Sequence, residues 1–182
     1  MNLAWKIGTV FGIPVRLHFT MLLLPLLTFG QMPTEGPFGV IAWLVLVILL
    51  FGSILLHELG HALTARRYGV RTEDIILTPI GGMARITSLP KTPREEIVIA
   101  VAGPLVSLLI AGLAFLVSIP LTIVALLPLP IYEALGLLTW INTMLGLFNL
   151  IPALPMDGGR ILRGYLALKR DELIKRRTTN DF

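Results

Sequence analysis

Apolar residues run through the chain in long blocks, with the charged ones gathered into short clusters between them. No Asp, Glu, Lys or Arg occurs between Arg16 and Glu35, Glu35 and Glu58, Glu96 and Glu133, or Glu133 and Asp157. A helix needs about 20 apolar residues to cross roughly 30 Å of hydrocarbon, and each gap has room for one. The pattern predicts four membrane spans, near residues 18 to 33, 38 to 63, 96 to 119 and 131 to 150. The first is short and contains Pro25, and a buried or tilted segment would share its pattern.

Between the blocks the pattern changes. Residues 5 to 16, WKIGTVFGIPVR, alternate loosely around Gly8, Gly12 and Pro14, which suits a short interfacial hairpin. Val70 to Pro90 mixes β-branched residues with Pro79, Gly81 and Gly82, as a strand pair does. The second span runs without interruption into HELGHALTARRYG, so one helix is predicted, ending near Gly69. KTPREE predicts the next helix start, with Thr92 as cap, Pro93 first, and Glu95 and Glu96 in the first turn. In that helix Ala102, Gly103 and Ser107 of AGPLVS are small enough to let a neighbour approach. Pro120, Pro128 and Pro130 place the following turn. After the fourth span, NLIPALPMDGGR stops the helix with two prolines and a glycine pair, exposing backbone at membrane depth. Lipid forbids that unless the backbone is packed in protein or lines a cavity.

Composition sharpens the class. Of 182 residues, 55% are hydrophobic and 14% charged, too apolar for an ordinary soluble domain. Net charge is +4, but the positions of the 15 basic residues argue against nucleic acid as a partner. They fall at Lys6 and Arg16, between Arg66 and Arg94, and from Arg160 to Arg177, all on one side of a four-span topology. The opposite loops carry only Glu35 and Glu133. Basic loops stay inside, so both termini and the central loop are expected to be cytoplasmic. With no cysteine, a bound metal must use nitrogen or oxygen ligands. The N-terminus lacks a small-x-small cleavage pattern, so the first segment is expected to remain.

The chemistry centres on His57-Glu58-Leu59-Gly60-His61, an HExxH motif. Residues four apart share a helix face, so both imidazoles reach one ion and Glu58 stands beside it to take a proton from water. Two of the three histidines thus lie with a carboxylate in an intramembrane helix, where ionisable groups are costly and usually functional. Catalytic zinc takes three protein ligands and leaves one position open. Asp157 matches the depth of His61, each being followed within five residues by an arginine, and is the expected third ligand. A turn-forming role for Asp157 is the plainer alternative, and His18 is the next ligand candidate. Asn149 reads either as an interhelical hydrogen bonder or as an amide donor to an oxyanion. Asn142, deeper in the span, is a weaker candidate for the same role.

Taken together, HELGH in a transmembrane helix, AGPLVS, and Asn149-Leu-Ile-Pro152-Ala-Leu-Pro155-Met-Asp157-Gly158-Gly159 resemble the site-2 protease family of intramembrane zinc metalloproteases. The resemblance covers residues 1 to 168. It implies an α-helical polytopic membrane protein of about four transmembrane helices, with a small membrane-associated β-hairpin or sheet and a zinc site within the helical core. It also implies cleavage of transmembrane protein substrates, such as an anti-sigma factor or tethered transcription regulator, in the plasma membrane of a prokaryote. A further implication is that the hairpin over Ile75 to Ile86 receives substrate as an added strand, which assigns Ile76, Gly81, Gly82, Ala84 and Ile86 to substrate binding. A helical peptide bond must be extended before attack, and a strand edge holds it so. No loop is long enough for a PDZ domain. Residues 169–182 read as a basic cytoplasmic tail, and the stop at Phe182 fits a catalytic core cut from a longer protein. The rival function is a non-catalytic membrane zinc-binding protein or transporter, which has no need of Glu58 in its position.

Overall fold

The structure, a computed structural model, describes residues 3–23, 25–26, 36–78, 81–123 and 129–180. Side chains are excepted at 36–39, 42, 121–123, 129–132 and 178–180. Strand β1 (Ala4–Val10) turns at Phe11 and Gly12 into β2 (Ile13–His18). Both turn residues take positive φ, 50° and 80°, as a two-residue hairpin connection requires if the strands are to keep their natural twist. The Arg66 side chain donates to the Phe11 carbonyl at 2.8 Å and ties this turn to the long helix described below. A short 3-10 helix, Phe19–Leu22, follows. Half of the span expected over 18 to 33, residue 24 and residues 27–33, lies outside the described residues.

A second hairpin joins β3 (Thr72–Thr78) to β4 (Gly81–Ile86); Pro79 and Ile80 lie outside the described residues. The two hairpins form one four-stranded sheet of order β1-β2-β3-β4, in which β2 and β3 run parallel with Val15 opposite Ile75 and Leu17 opposite Leu77. Alternation explains which face is covered: Ile13, Val15, Ile75 and Leu77 are buried against Met21, Ile54, Leu59 and Ala62. Buried Asp74 crosses the sheet to Arg16 on β2, at 2.8 Å, and to Arg85 on β4, whose guanidinium grips the carboxylate at both oxygens. The Arg85 hydrogen bonds hold the Asp74 carboxyl below the usual carboxylate range despite its burial. Among the described residues β4 is an edge strand of the sheet, paired only with β3.

Four long helices complete the described chain: α1 (Gly36–Arg67), α2 (Pro93–Ile123), α3 (Leu129–Asn149) and α4 (Asp157–Asn180). α1 ends where Gly69 takes φ 76° and the Val70 N–H turns back to the Ala65 carbonyl. α2 begins as its capping residues predict: the Glu95 N–H donates to Thr92 Oγ1 at 3.2 Å, and the Lys91 N–H to Glu95 Oε2 at 2.8 Å. Pro120 does not end α2, which continues to Ile123. A proline removes only its own N–H bond and disturbs the preceding turn, and the helix runs through both Pro104 and Pro120.

The stretches Trp43–Arg67 and Pro93–Pro120 are long and apolar enough to cross a membrane. Leu105, Leu109, Leu113 and Leu116 make an exposed stripe along one face of α2, each more than half accessible. Such a contiguous apolar face is unfavourable in water and suited to hydrocarbon.

Candidate metal centre

α1 brings His57 and His61 to the face that α2 covers. The helices approach closely at Gly60, where an added Cβ would stand 2.8 Å from the Ala102 carbonyl oxygen. Each imidazole then takes a partner from α2. His61 Nδ1 lies 2.7 Å from the Ile99 carbonyl, which only accepts, so Nδ1 carries the proton and Nε2 presents its lone pair. His57 Nδ1 lies 3.0 Å from Ser107 Oγ, a hydroxyl with no solvent exposure, which leaves His57 Nε2 free to face the same point. Gly103 completes the arrangement: any side chain there would strike the His61 ring.

The third group arrives from α4. Residues 150 to 156 leave the helical path of α3 and contain Pro152 and the cis Leu154–Pro155 bond. Helix α4 restarts at Asp157. Gly158 and Gly159 lie against the backbone of that loop, with an added Cβ at 159 only 2.8 Å from the Ala153 carbonyl oxygen, so side chains at the pair would push Asp157 outward. Asp157 Oδ2 stands 3.2 Å from His57 Nε2 and 3.0 Å from His61 Nε2, and the two Nε2 atoms are 3.2 Å apart. All three residues are buried.

This donor set fits zinc. Tetrahedral ligands at about 2.0–2.1 Å from the ion are roughly 3.3 Å from one another, close to all three separations. With both Nε2 atoms unprotonated, two lone pairs and a carboxylate oxygen converge in a buried site and repel unless a cation lies among them. The nitrogen and oxygen chemistry matches a catalytic rather than a structural zinc set.

Glu58 is buried next to this triad. Its side chain lies directly on Gly82 of β4, where an added Cβ would overlap Cγ and Cδ. The glycine allows a close approach, and its partner is Glu58. A cavity of about 810 Å³ opens over the triad and Glu58 and runs to Gly81, Gly82, Ala84 and Ile86 of β4 on one wall and to Asn149 and Arg160 on another. Ile76 does not line it. It belongs to β3, paired on both sides, with Arg16 and with Met83, so its main chain has no ladder position to offer a peptide. Of the sheet's two edge strands, β1 and β4, it is β4 that lines the cavity.

Asn149 lines the cavity and donates from Nδ2 to the Leu145 carbonyl of its own helix at 2.8 Å. His18 stands apart from the triad, with Nδ1 2.7 Å from Thr20 Oγ1 at the start of the 3-10 helix. Asn142 is fully buried and joins α3 to α1 through Ser53 Oγ at 2.8 Å. Ser107 went unassigned in the sequence because a serine among small residues on a membrane helix reads as packing. The one available signal was that a metal-bound histidine needs a partner for its second nitrogen.

Comparison with known proteins agrees with this geometry. The sequence profile described as "Peptidase family M50" matches residues 45–127 and 126–180. A zinc metalloprotease of Methanocaldococcus jannaschii is 44% identical over 93% of this chain and 47% of its own length. A putative zinc metalloprotease of a Synechocystis strain is 40% identical over 90% of this chain and 44% of its own. The chain therefore spans about half the length of these curated relatives. The solved structure of a site-2 protease from Methanocaldococcus jannaschii superposes with a TM-score of 0.70 at 41% identity, covering 91% of this chain and 73% of that one.

Proposed function

Because the chain belongs to peptidase family M50, we propose that it is a zinc-dependent intramembrane endopeptidase cutting peptide bonds in the transmembrane segments of membrane-tethered proteins. One observation carries the reading: the buried His57, His61 and Asp157 donors share a single cavity with Glu58 and with the free edge of β4. A transporter or sensor needs the donors but neither a buried carboxylate beside them nor a strand edge.

Zinc held by the three residues supplies Lewis acidity, which lowers the pKa of water and polarises a carbonyl. The residues of the chain do the rest. Ser107 and the Ile99 carbonyl fix which nitrogen of each histidine points inward. Glu58 accepts the proton of the attacking water at its carboxylate and returns it to the departing amine nitrogen. Asn149 has one amide N–H on Leu145 and keeps the second for the oxygen on which charge develops. The substrate segment unwinds and adds to β4 as a strand, with Gly81, Gly82, Ala84 and Ile86 beneath it, so main-chain hydrogen bonds hold the scissile bond extended.

The proposal includes four spans, with the described helices α1 and α3 as the second and fourth, and with the termini and cavity mouth on the cytoplasmic side of a prokaryotic plasma membrane. It takes residues 1–168 as the peptidase core and 169–182 as a basic tail, and an anti-sigma factor or tethered transcription regulator as substrate. Reconstitution in lipid vesicles with a transmembrane peptide labelled at both ends tests the activity. Cleavage abolished by a chelator and restored by zinc is expected. Zinc bound stoichiometrically without any cleavage would favour the binding-only reading.

A further inference from the structure

We propose that Arg160 is a positioning residue for the metal: it holds the outer oxygen of Asp157 so that the inner one faces the two histidines. The inference rests on the zinc reading above.

Asp157 has two oxygens with different surroundings. Oδ2 is directed at His57 and His61, while Oδ1 is met by Arg160 Nη1 at 3.4 Å from the next turn of α4. The Asp157 side chain retains 10% of its exposure, and Arg160 is the partner found for Oδ1 among the described residues. A carboxylate on the first residue of a helix rotates about two side-chain bonds unless something restrains it. An arginine three residues on, on the same helix face, reaches it without strain. The helix start is itself fixed by the tight seating of Gly158 and Gly159, so the restraint acts from a rigid platform.

The charge of Arg160 makes the idea testable by sign. A guanidinium beside a dication repels it, so an arginine acting only as a nearby charge weakens zinc binding, and its removal should strengthen binding. An arginine that orients a ligand does the opposite. Outer-sphere partners of this kind typically change metal affinity by about 10–100-fold. Arg163 supplies the control. It is one turn further along α4, lines the same cavity, and pairs with Glu96 rather than with Asp157.

The experiment is zinc competition against a chromophoric chelator on the full chain in detergent, with thermal unfolding of the metal-free protein measured in parallel. Arg160→Gln is expected to weaken zinc by roughly 10-fold or more. Arg160→Lys should recover part of the loss, and Arg163→Gln should leave the affinity within about twofold of wild type. In an Asp157→Ala background, Arg160→Gln should lower zinc affinity no further. If Arg160→Gln yields no folded protein, Arg160→Lys carries the test, since it keeps the charge but loses the planar fork. Unchanged or tighter zinc in the folded Arg160 variants, or an equal loss in the Asp157→Ala background, would overturn the proposal. Absence of zinc binding by the wild type would instead overturn the metal reading beneath it.

Discussion

Ser107→Ala removes one oxygen atom from the second helix, and the structure says what it does there. With His57 Nε2 turned to the metal, that oxygen accepts the Nδ1 proton across 3.0 Å, and the serine has no exposure through which water could take its place. Leaving a buried N–H without an acceptor costs about 1–3 kcal/mol. Part of that cost falls on the metal, because without the hydroxyl the ring is free to rotate or to carry its proton on the inward nitrogen. At about 1.4 kcal/mol per tenfold, the whole of that cost corresponds to roughly 5- to 150-fold in the zinc dissociation constant, and the expected rise lies within that ceiling, on the scale usual for such partners. Ser107→Thr keeps the hydroxyl and should restore most of the affinity. Chelator competition on folded protein in detergent reads both variants. Zinc affinity in Ser107→Ala within twofold of wild type would refute the argument that the hydroxyl fixes the ring.

Two glycine substitutions should separate metal binding from chemistry: Gly103→Ala pushes on the His61 ring and should lose zinc, whereas Gly82→Ala pushes on Glu58 and should keep zinc but lose most cleavage. Metal analysis beside a peptide-cleavage assay checks the pair, and the opposite pattern would contradict the contacts described. Asp157→Ala should lower zinc occupancy by at least tenfold, whereas His18→Ala, whose ring is engaged with Thr20, should leave occupancy unchanged in the same measurement. Asp74 predicts a pH effect on stability. Its folded pKa is depressed by Arg85, so the stabilisation is present above the unfolded value of about 3.9 and is lost as pH falls through the lower folded value. Thermal unfolding should show Asp74→Asn less stable than wild type at pH 7, with the gap closing below about pH 4. A gap that persists there would remove the ion-pair explanation.

The candidate metal site of this chain was more legible in its sequence than its architecture. His57, Glu58 and His61 could be read because helical geometry turns a spacing of four residues into a shared face, a local rule that tertiary context does not alter. Asp157 could be read because charge at membrane depth is rare enough to need a partner. Both hairpins were marked by glycines and β-branched runs, but their union into one sheet was not. The β2–β3 pairing joins residues some 60 positions apart, and nothing local in Val15 or Ile75 encodes it. That union decides which edge is free, and it is why Ile76 falls in the sheet interior while Ala84 and Ile86 reach the cavity. Ser107 and Arg160 stayed hidden for a related reason. Each acts on another residue's side chain, and such roles emerge only when the helices are placed. Pro120 shows the limit of a local rule in the other direction, since the helix continues past it to Ile123.

The most direct test of the account is Glu58→Gln, in which the carboxylate beside the metal triad keeps its shape but can no longer accept a proton. Zinc content and cleavage of a transmembrane peptide are measured on the same preparation. The account predicts about one zinc per chain, as in wild type, with cleavage reduced by at least 100-fold, the scale of general acid–base contributions. Cleavage persisting near the wild-type rate would contradict it and remove Glu58 from the mechanism.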